Sequence, residues 1–344
     1  MRKLKALVTA EIIREVLEDS LNSRVDFDYD GYYINHEVLP HSDLIDKIKD
    51  YDILICEYDT VSSDVLDAAS KLKLIVCCRG GVKTVVDLQR AKEKGIIVCN
   101  NAGRNAGALS NLVMGFILNL TRNITLTNNL IHSRQLTADV STKPGEYKDV
   151  VWGLNNESPF QMYRGRSIKY MTLGIIGFGS AGMEVARKAN MFNMRVIAYD
   201  IFSDIKGHPN YVTFVAFEKL LKEADIVSCH CTVGPDSIGM FNKETFAKMR
   251  DGAYFINTAR GELVVEQDLV DALKSGKLAG AALDVTAREP IPSDSPLIDA
   301  PNLLLTPHIA GSSDDVQVIG TRQVIESIDA FLNGEKPGLA VIYP

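Results

Sequence analysis

The sequence predicts an α/β protein made of two doubly wound units, each a parallel sheet covered by helices on both faces. Three observations carry this expectation. Short apolar runs alternate with amphipathic stretches through the first hundred or so residues, and the alternation resumes at TLGIIGFG. Alternation of this kind implies parallel strands joined by crossover helices. At 344 residues the chain is also too long for one typical core, so two units are the natural division.

In the first series LKALVTA reads as a strand, the stretch from Ile12 to Glu18 as a helix, and YDILICEY as a strand. SDVLDAASKL (helix), KLIVCCRG (strand), DLQRAKEKG (helix) and IIVCN (strand) follow. A long apolar helix is expected near Leu109 to Leu120, and the crossover between units is placed there. Polar material with KPGE, Trp152 and NNESP follows, so residues 137–167 read as an irregular arm. The second series is TLGIIGFG, MRVIAYD, FEKLLKEA, DIVSCHC, AYFINTARG, QDLVDALKSG, AGAALDV and NLLLTPH. Finally, Val318, Ile325, Ile328, Phe331 and Leu332 lie on a helical stretch that stops at Asn333-Gly334, with Pro337 beyond.

Composition narrows the function. With 46% hydrophobic and 24% charged residues and a formal net charge of −7, no basic footprint attracts nucleic acid or anionic lipid. The N-terminal MRKLKALVTAE fails as a signal peptide because Glu11, Arg14 and Glu15 interrupt it. LVMGFIL is too short to span a bilayer core of about 30 Å. A cytoplasmic protein is expected. The six cysteines, Cys56, Cys77, Cys78, Cys99, Cys229 and Cys231, sit in or beside strand-like runs and form no C-x-x-C pair. They read as buried thiols in a reducing compartment, although Cys231 follows His230 at a strand end, where it can line a site.

Gly177, Gly179 and Gly182 have G-x-G-x-x-G spacing directly after an apolar strand and before a helical stretch. That is the context of a dinucleotide site: one glycine for the tight turn, one for approach of the pyrophosphate, and one for close helix packing. Asp200 ends the next strand, where an acid would bond the ribose hydroxyls. Ile201 and Phe202 follow it, with no arginine for a 2′-phosphate, which favours NAD over NADP.

GFGSAG, NTARGELV, AGAALDV, ARE and LTPHIAG, in that order, resemble the D-isomer-specific 2-hydroxyacid dehydrogenases. VCNNAGRNAGALSN is similar to the segment before that family's crossover helix, and CCRGGV to its substrate-domain glycine loop. The resemblance implies a Rossmann coenzyme domain at 113–315 inserted into a flavodoxin-like substrate domain at 1–112 and 316–344. It implies hydride transfer between NAD(H) and a D-2-hydroxy acid and 2-oxo acid pair, in a cleft between two domains of a homodimer. The implied catalytic residues are Arg260, Glu289 and His308. Implied cofactor contacts are Gly177, Gly179, Ser180, Ala181, Gly182, Asp200, Thr232, Thr258, Ala259, Asp284 and His308. Implied substrate contacts are Gly80, Gly81, Val82, Asn105 and Arg260, and no metal is expected.

Each catalytic assignment has a chemical reason. Oxidising a secondary alcohol needs a base for the hydroxyl proton and the reverse needs an acid, and a histidine can be both. A neighbouring Glu289 would favour the imidazolium and fix the tautomer. Arg260 can clamp a carboxylate and polarise the 2-oxo group.

Several positions depart from the family pattern. Ala102 stands at its usual proline, Leu109-Ser110-Asn111 at its V-A-E run, and Tyr170-Met171 at its Gly-Lys. Arg104 and Lys83 add positive charge near the expected substrate loops, to greet a second acidic group or to be solvated. Glu289 argues against a formate dehydrogenase, which parts from the pattern by a glutamine there. Two alternatives stay open: a 3-phosphoglycerate dehydrogenase without a regulatory domain, and a NAD(H)-sensing module resembling the corepressors.

Overall fold

The computed structural model describes residues 2–137, 158–202 and 208–343. KPGE, Trp152 and Asn155 to Glu157 of the expected arm lie outside these residues. The chain divides into two compact units, Met1–Asn105 with Ser312–Pro344, and Ala106–Gly311. Numbered along the chain, the strands are β1 Leu4–Val8, β2 Val25–Tyr29, β3 Ile53–Cys56, β4 Leu74–Cys77, β5 Ile97–Asn100, β6 Thr172–Ile176 and β7 Arg195–Tyr199. They continue as β8 Val212–Phe214, β9 Ile226–Cys229, β10 Ala253–Asn257, β11 Leu278–Leu283, β12 Leu303–Leu305 and β13 Ala340–Ile342.

In the first unit the sheet order is β13-β5-β4-β3-β1-β2, parallel except for β13 on β5. Successive side chains of a strand point to opposite faces, so apolar strands such as ILIC and LIVC must be covered twice. Leu7, Leu54 and Ile75 face one way and are buried with Leu44, Ile48, Val65 and Ala91 of three helices. Ala6, Val8, Ile53 and Val76 face the other way and meet Leu17 and Leu21 of helix Arg14–Leu21 and Val324 and Ile328 of helix Asp314–Leu332. The last helix thus completes a core whose strands come from the first hundred residues.

The second unit has seven parallel strands in the order β12-β11-β10-β9-β6-β7-β8. The chain leaves β6 for β7 and β8 on one side, then returns to β9 and works outward on the other. The carboxyl ends of β6 and β9 therefore flank a topological switch point, where open α/β sheets bind ligands. Val227, Phe255 and Ala281 pack under helices Phe217–Glu223, Lys243–Lys248 and Glu266–Lys274. Ile226, Ile256 and Ala282 pack under helices Ala106–Arg122 and Ser180–Met191. Among the described residues no helix is long and apolar enough to cross a membrane.

The strands β2, β8 and β13 are not among the runs read as strands from the sequence. All three are edge strands, half-covered at most, so VDFDY and VTF carry polar residues where a central strand would be apolar.

Candidate active site

The glycine turn lies at the end of β6. Gly177 has φ +89°, and a Cβ there would lie 2.5 Å from the Cys231 nitrogen, so both backbone shape and packing demand glycine. A Cβ on Gly182 would lie 2.2 Å from the Gly177 oxygen, which is the close approach of helix to turn. Gly179 is different: its φ is −78° and a Cβ would meet nothing within 4 Å. Neither the backbone nor the protein's own packing accounts for that glycine, whereas a ligand on the backbone would. Helix Ser180–Met191 starts beside it, and the first-turn N–H groups at Ser180 and Ala181 lack acceptors one turn back.

Asp200 follows β7 and braces this turn, its two carboxylate oxygens accepting N–H bonds from Phe178 (2.6 Å) and Phe202 (2.8 Å). Each oxygen retains a lone pair for a hydroxyl. Across the switch point, Thr258 is 5% exposed and its hydroxyl lacks a partner among the described residues, as does the ring Nδ1 of His230. The register Asn257 opposite Cys229 makes these two next-door neighbours at the ends of β10 and β9. His230 bonds Ser228 Oγ through Nε2 at 2.8 Å, and burial pushes its ring down to about 4, so it is neutral at pH 7. Thr232 is exposed at the start of the following loop. An open Gly179, a free helix start and unpartnered buried polar atoms fit a dinucleotide at this edge.

The expected catalytic residues follow three adjacent parallel strands: Arg260 after β10, Glu289 beyond β11 and His308 after β12. His308 Nδ1 lies 2.7 Å from Glu289 Oε2, while Glu289 Oε1 accepts the Thr286 N–H at 3.1 Å. The pair is exposed, with side chains 48% and 39% accessible. This leaves Nε2 as the ring atom available to a substrate. His308 has φ +57°, in the left-handed region. Asp284, 1% exposed, holds the turn in that shape: one oxygen accepts the Thr306 hydroxyl (2.5 Å) and the Ile309 N–H (2.9 Å), the other the Ala310 N–H (2.8 Å). Its visible work is to orient the histidine loop.

Arg260 is exposed and has no acidic partner among the described residues; its Nη1 donates only to the Ala259 carbonyl at 2.7 Å. Asn257, fully buried and absent from the sequence-based site, shapes this loop by accepting from Ala259 N–H (3.0 Å) and donating to the Arg260 carbonyl (2.8 Å). Gly261 was also missed. A Cβ there would fall 2.0 Å from the Thr286 carbonyl carbon, so only glycine lets the arginine loop lie against the loop that carries Glu289.

In the first unit, Gly80 and Gly81 follow β4 and are exposed, with nothing within 4 Å of a Cβ on either. Their N–H groups have no acceptor among the described residues. Val82 is buried and anchors the loop, Asn100 Nδ2 donates to the Gly80 carbonyl at 2.8 Å, and Asn105 is exposed. Arg104 is neither solvated nor free: it is ion-paired with the buried Glu57. Lys83 is exposed, the Arg79 guanidinium lies 5.5 Å from the Tyr58 ring centroid, and neither has an acidic partner among the described residues. No cluster of metal-ligating residues occurs among the described residues.

Residues 114–310 match the family described as D-isomer specific 2-hydroxyacid dehydrogenase, NAD binding domain. A hydroxypyruvate reductase of Blautia hydrogenotrophica is 30% identical over 292 residues, 85% of this chain and 85% of that one. A D-3-phosphoglycerate dehydrogenase of Methanocaldococcus jannaschii is 34% identical over 300 residues, 86% of this chain but 53% of the relative. A solved structure of a Thermus thermophilus protein superposes with a TM-score of 0.77 at 31% identity, covering 98% of this chain and 100% of that one.

Proposed function

For a chain that belongs to the D-isomer-specific 2-hydroxyacid dehydrogenases, we propose that His308 carries the proton, Glu289 orients it, and Arg260 holds the substrate for hydride transfer at carbon 2. The observation that carries this reading is the His308–Glu289 contact on a loop pinned by Asp284, together with an arginine that has no acidic partner among the described residues. Bound NAD supplies the hydride acceptor for a 2-hydroxy acid, and its reduced form the donor for a 2-oxo acid. Gly177, Gly179, Ser180, Ala181 and Gly182 would hold its pyrophosphate, Asp200 its ribose, and Thr232, Thr258, Ala259 and Asp284 its nicotinamide side.

In the oxidative direction His308 Nε2 takes the hydroxyl proton, and the imidazolium so formed is stabilised by Glu289 at Nδ1. In the reductive direction the same nitrogen returns a proton to the 2-oxo oxygen. Arg260, permanently charged, offsets the charge on the substrate carboxylate and on the oxygen as it becomes alkoxide-like. Gly80, Gly81, Val82 and Asn105 are the proposed further contacts to substrate, supported by two glycines whose N–H groups have no acceptor among the described residues and where a Cβ would meet nothing within 4 Å.

A small unbranched 2-oxo acid such as hydroxypyruvate or glyoxylate is the first substrate to try, in line with the names of relatives. A phosphorylated one is the second reading, favoured by Arg79 and Lys83, which have no acidic partner among the described residues, whereas Arg104 is neutralised by Glu57. A cytoplasmic homodimer is the proposed state. NADH oxidation with glyoxylate, hydroxypyruvate, pyruvate, 2-oxoglutarate and phosphohydroxypyruvate tests the reading. Turnover on one of them, lost in His308→Asn, is expected; NADH binding without turnover on any would favour the sensing alternative.

A further inference from the structure

Two thiols at the end of β9 take no part in the chemistry proposed above. Cys229 ends the strand and is fully buried, while Cys231, two positions on, is partly exposed. Their sulfur atoms are 3.5 Å apart, with one S–H directed at the other sulfur. The roles within the pair are unequal. Burial pushes the Cys229 thiol up, whereas the Cys231 thiol is drawn down by its bond to Cys229 and can turn its own S–H to Met240 Sδ at 3.9 Å. Cys231 therefore combines access with thiolate character, and Cys229 stands behind it as the second thiol. The other cysteines, Cys56, Cys77, Cys78 and Cys99, are all buried.

Cys231 is also a wall of the glycine turn. The position of a Cβ on Gly177 is 2.5 Å from the Cys231 nitrogen and 2.7 Å from its Cα. A disulfide would require the sulfurs to close from 3.5 Å to about 2.0 Å. Cys229 is held in register between Ile176 of β6 and Asn257 of β10, so the movement falls on Cys231 and hence on the turn.

We propose that Cys229 and Cys231 form an oxidative modification site, where a peroxide joins the two sulfurs and so loosens the grip of the Gly177 turn on a dinucleotide. The Cys231 sulfur attacks one peroxide oxygen, the O–O bond breaks, and hydroxide leaves with the Cys231 proton as water, giving a sulfenic acid. The Cys229 sulfur then attacks the Cys231 sulfur, the S–O bond breaks, and the hydroxyl leaves with the Cys229 proton as a second water. The two thiols lose two electrons and two protons, and hydrogen peroxide is reduced to two waters. The effect on binding rests on the dinucleotide reading of the turn, whereas the covalent step does not.

The test treats the purified full chain with stoichiometric hydrogen peroxide, then follows the peptide masses and the fluorescence of bound NADH. The expected result is a peptide spanning 229 to 231 lighter by two hydrogens and closed to alkylation, with NADH affinity about tenfold weaker and restored by dithiothreitol. Saturating NADH should slow the reaction, and Cys229→Ala should halt Cys231 at its oxyacids. Over-oxidation of Cys231 without a link in the wild-type chain, or faster oxidation of Cys56 or Cys77, would overturn the site. A complete link with unchanged NADH affinity would overturn its effect on the turn. Reduced protein that binds no NADH would instead overturn the dinucleotide reading, with the masses still deciding the thiol step.

Discussion

His308 depends on a carboxylate that does not touch its ring. Asp284 takes three donors from residues 306 to 310, and these bonds hold the histidine backbone at φ +57°. Asparagine tolerates that conformation better than most residues, so His308→Asn should fold as the wild type does while losing the proton carrier. We expect turnover to fall by about a hundredfold to ten-thousandfold, with NADH affinity, read by fluorescence, unchanged. Arg260→Ala should likewise abolish turnover and spare NADH binding. At His230 the sign runs through stability. Its ring titrates near 4 in the folded chain against about 6.5 unfolded, so above 6.5 it is neutral in both states, and as pH falls from 6.5 towards 4 the unfolded chain alone gains a proton. Between pH 7 and pH 5 this should remove about 2 kcal/mol, and denaturant titrations of His230→Asn should lack that part of the loss.

At the scale of the element, the loops after β10 and β11 are joined by Gly261, and this is where the sequence was least legible. NTARGE yields its arginine readily, because a permanent cation has an obvious chemical use. The glycine has no strained φ to announce it and is needed only because Thr286 lies where its side chain would be, a contact between positions distant in the chain. Gly261→Ala should cost about 1–3 kcal/mol by overpacking, measurable as a lower denaturant midpoint, and should reduce turnover more than NADH binding. Asn257 escaped notice for a similar reason, since its two bonds are to main-chain atoms within its own turn. Central strands were plain in the sequence because both faces are buried, leaving runs such as ILIC and LIVC without polar residues. The edge strands β2, β8 and β13 were not, because an uncovered face admits Asp and Thr, and β13 runs antiparallel outside the crossover rhythm.

At the scale of the molecule, the glycine turn, Asp200 and the Thr258 edge all belong to the unit Ala106–Gly311. NADH should therefore slow amide exchange around residues 177 to 183 and leave the core strands β1, β3 and β4 unchanged in a mass-resolved exchange experiment. Protection confined to the first unit would contradict the assignment of the coenzyme site. The two-unit plan was evident from length and from the two strand-helix series, while the arm held no periodicity from which to read structure. The ordering of the chain has one more outcome. Val324 and Ile328 are fully buried in the core of the first unit, yet they lie beyond the whole of the second. On a ribosome, where domains form as their residues emerge, the later unit is complete at Gly311, before the earlier one has its closing helix. The segment synthesised first must wait with one sheet face covered only by helix Arg14–Leu21, so a nascent chain of this protein matures from the middle outward.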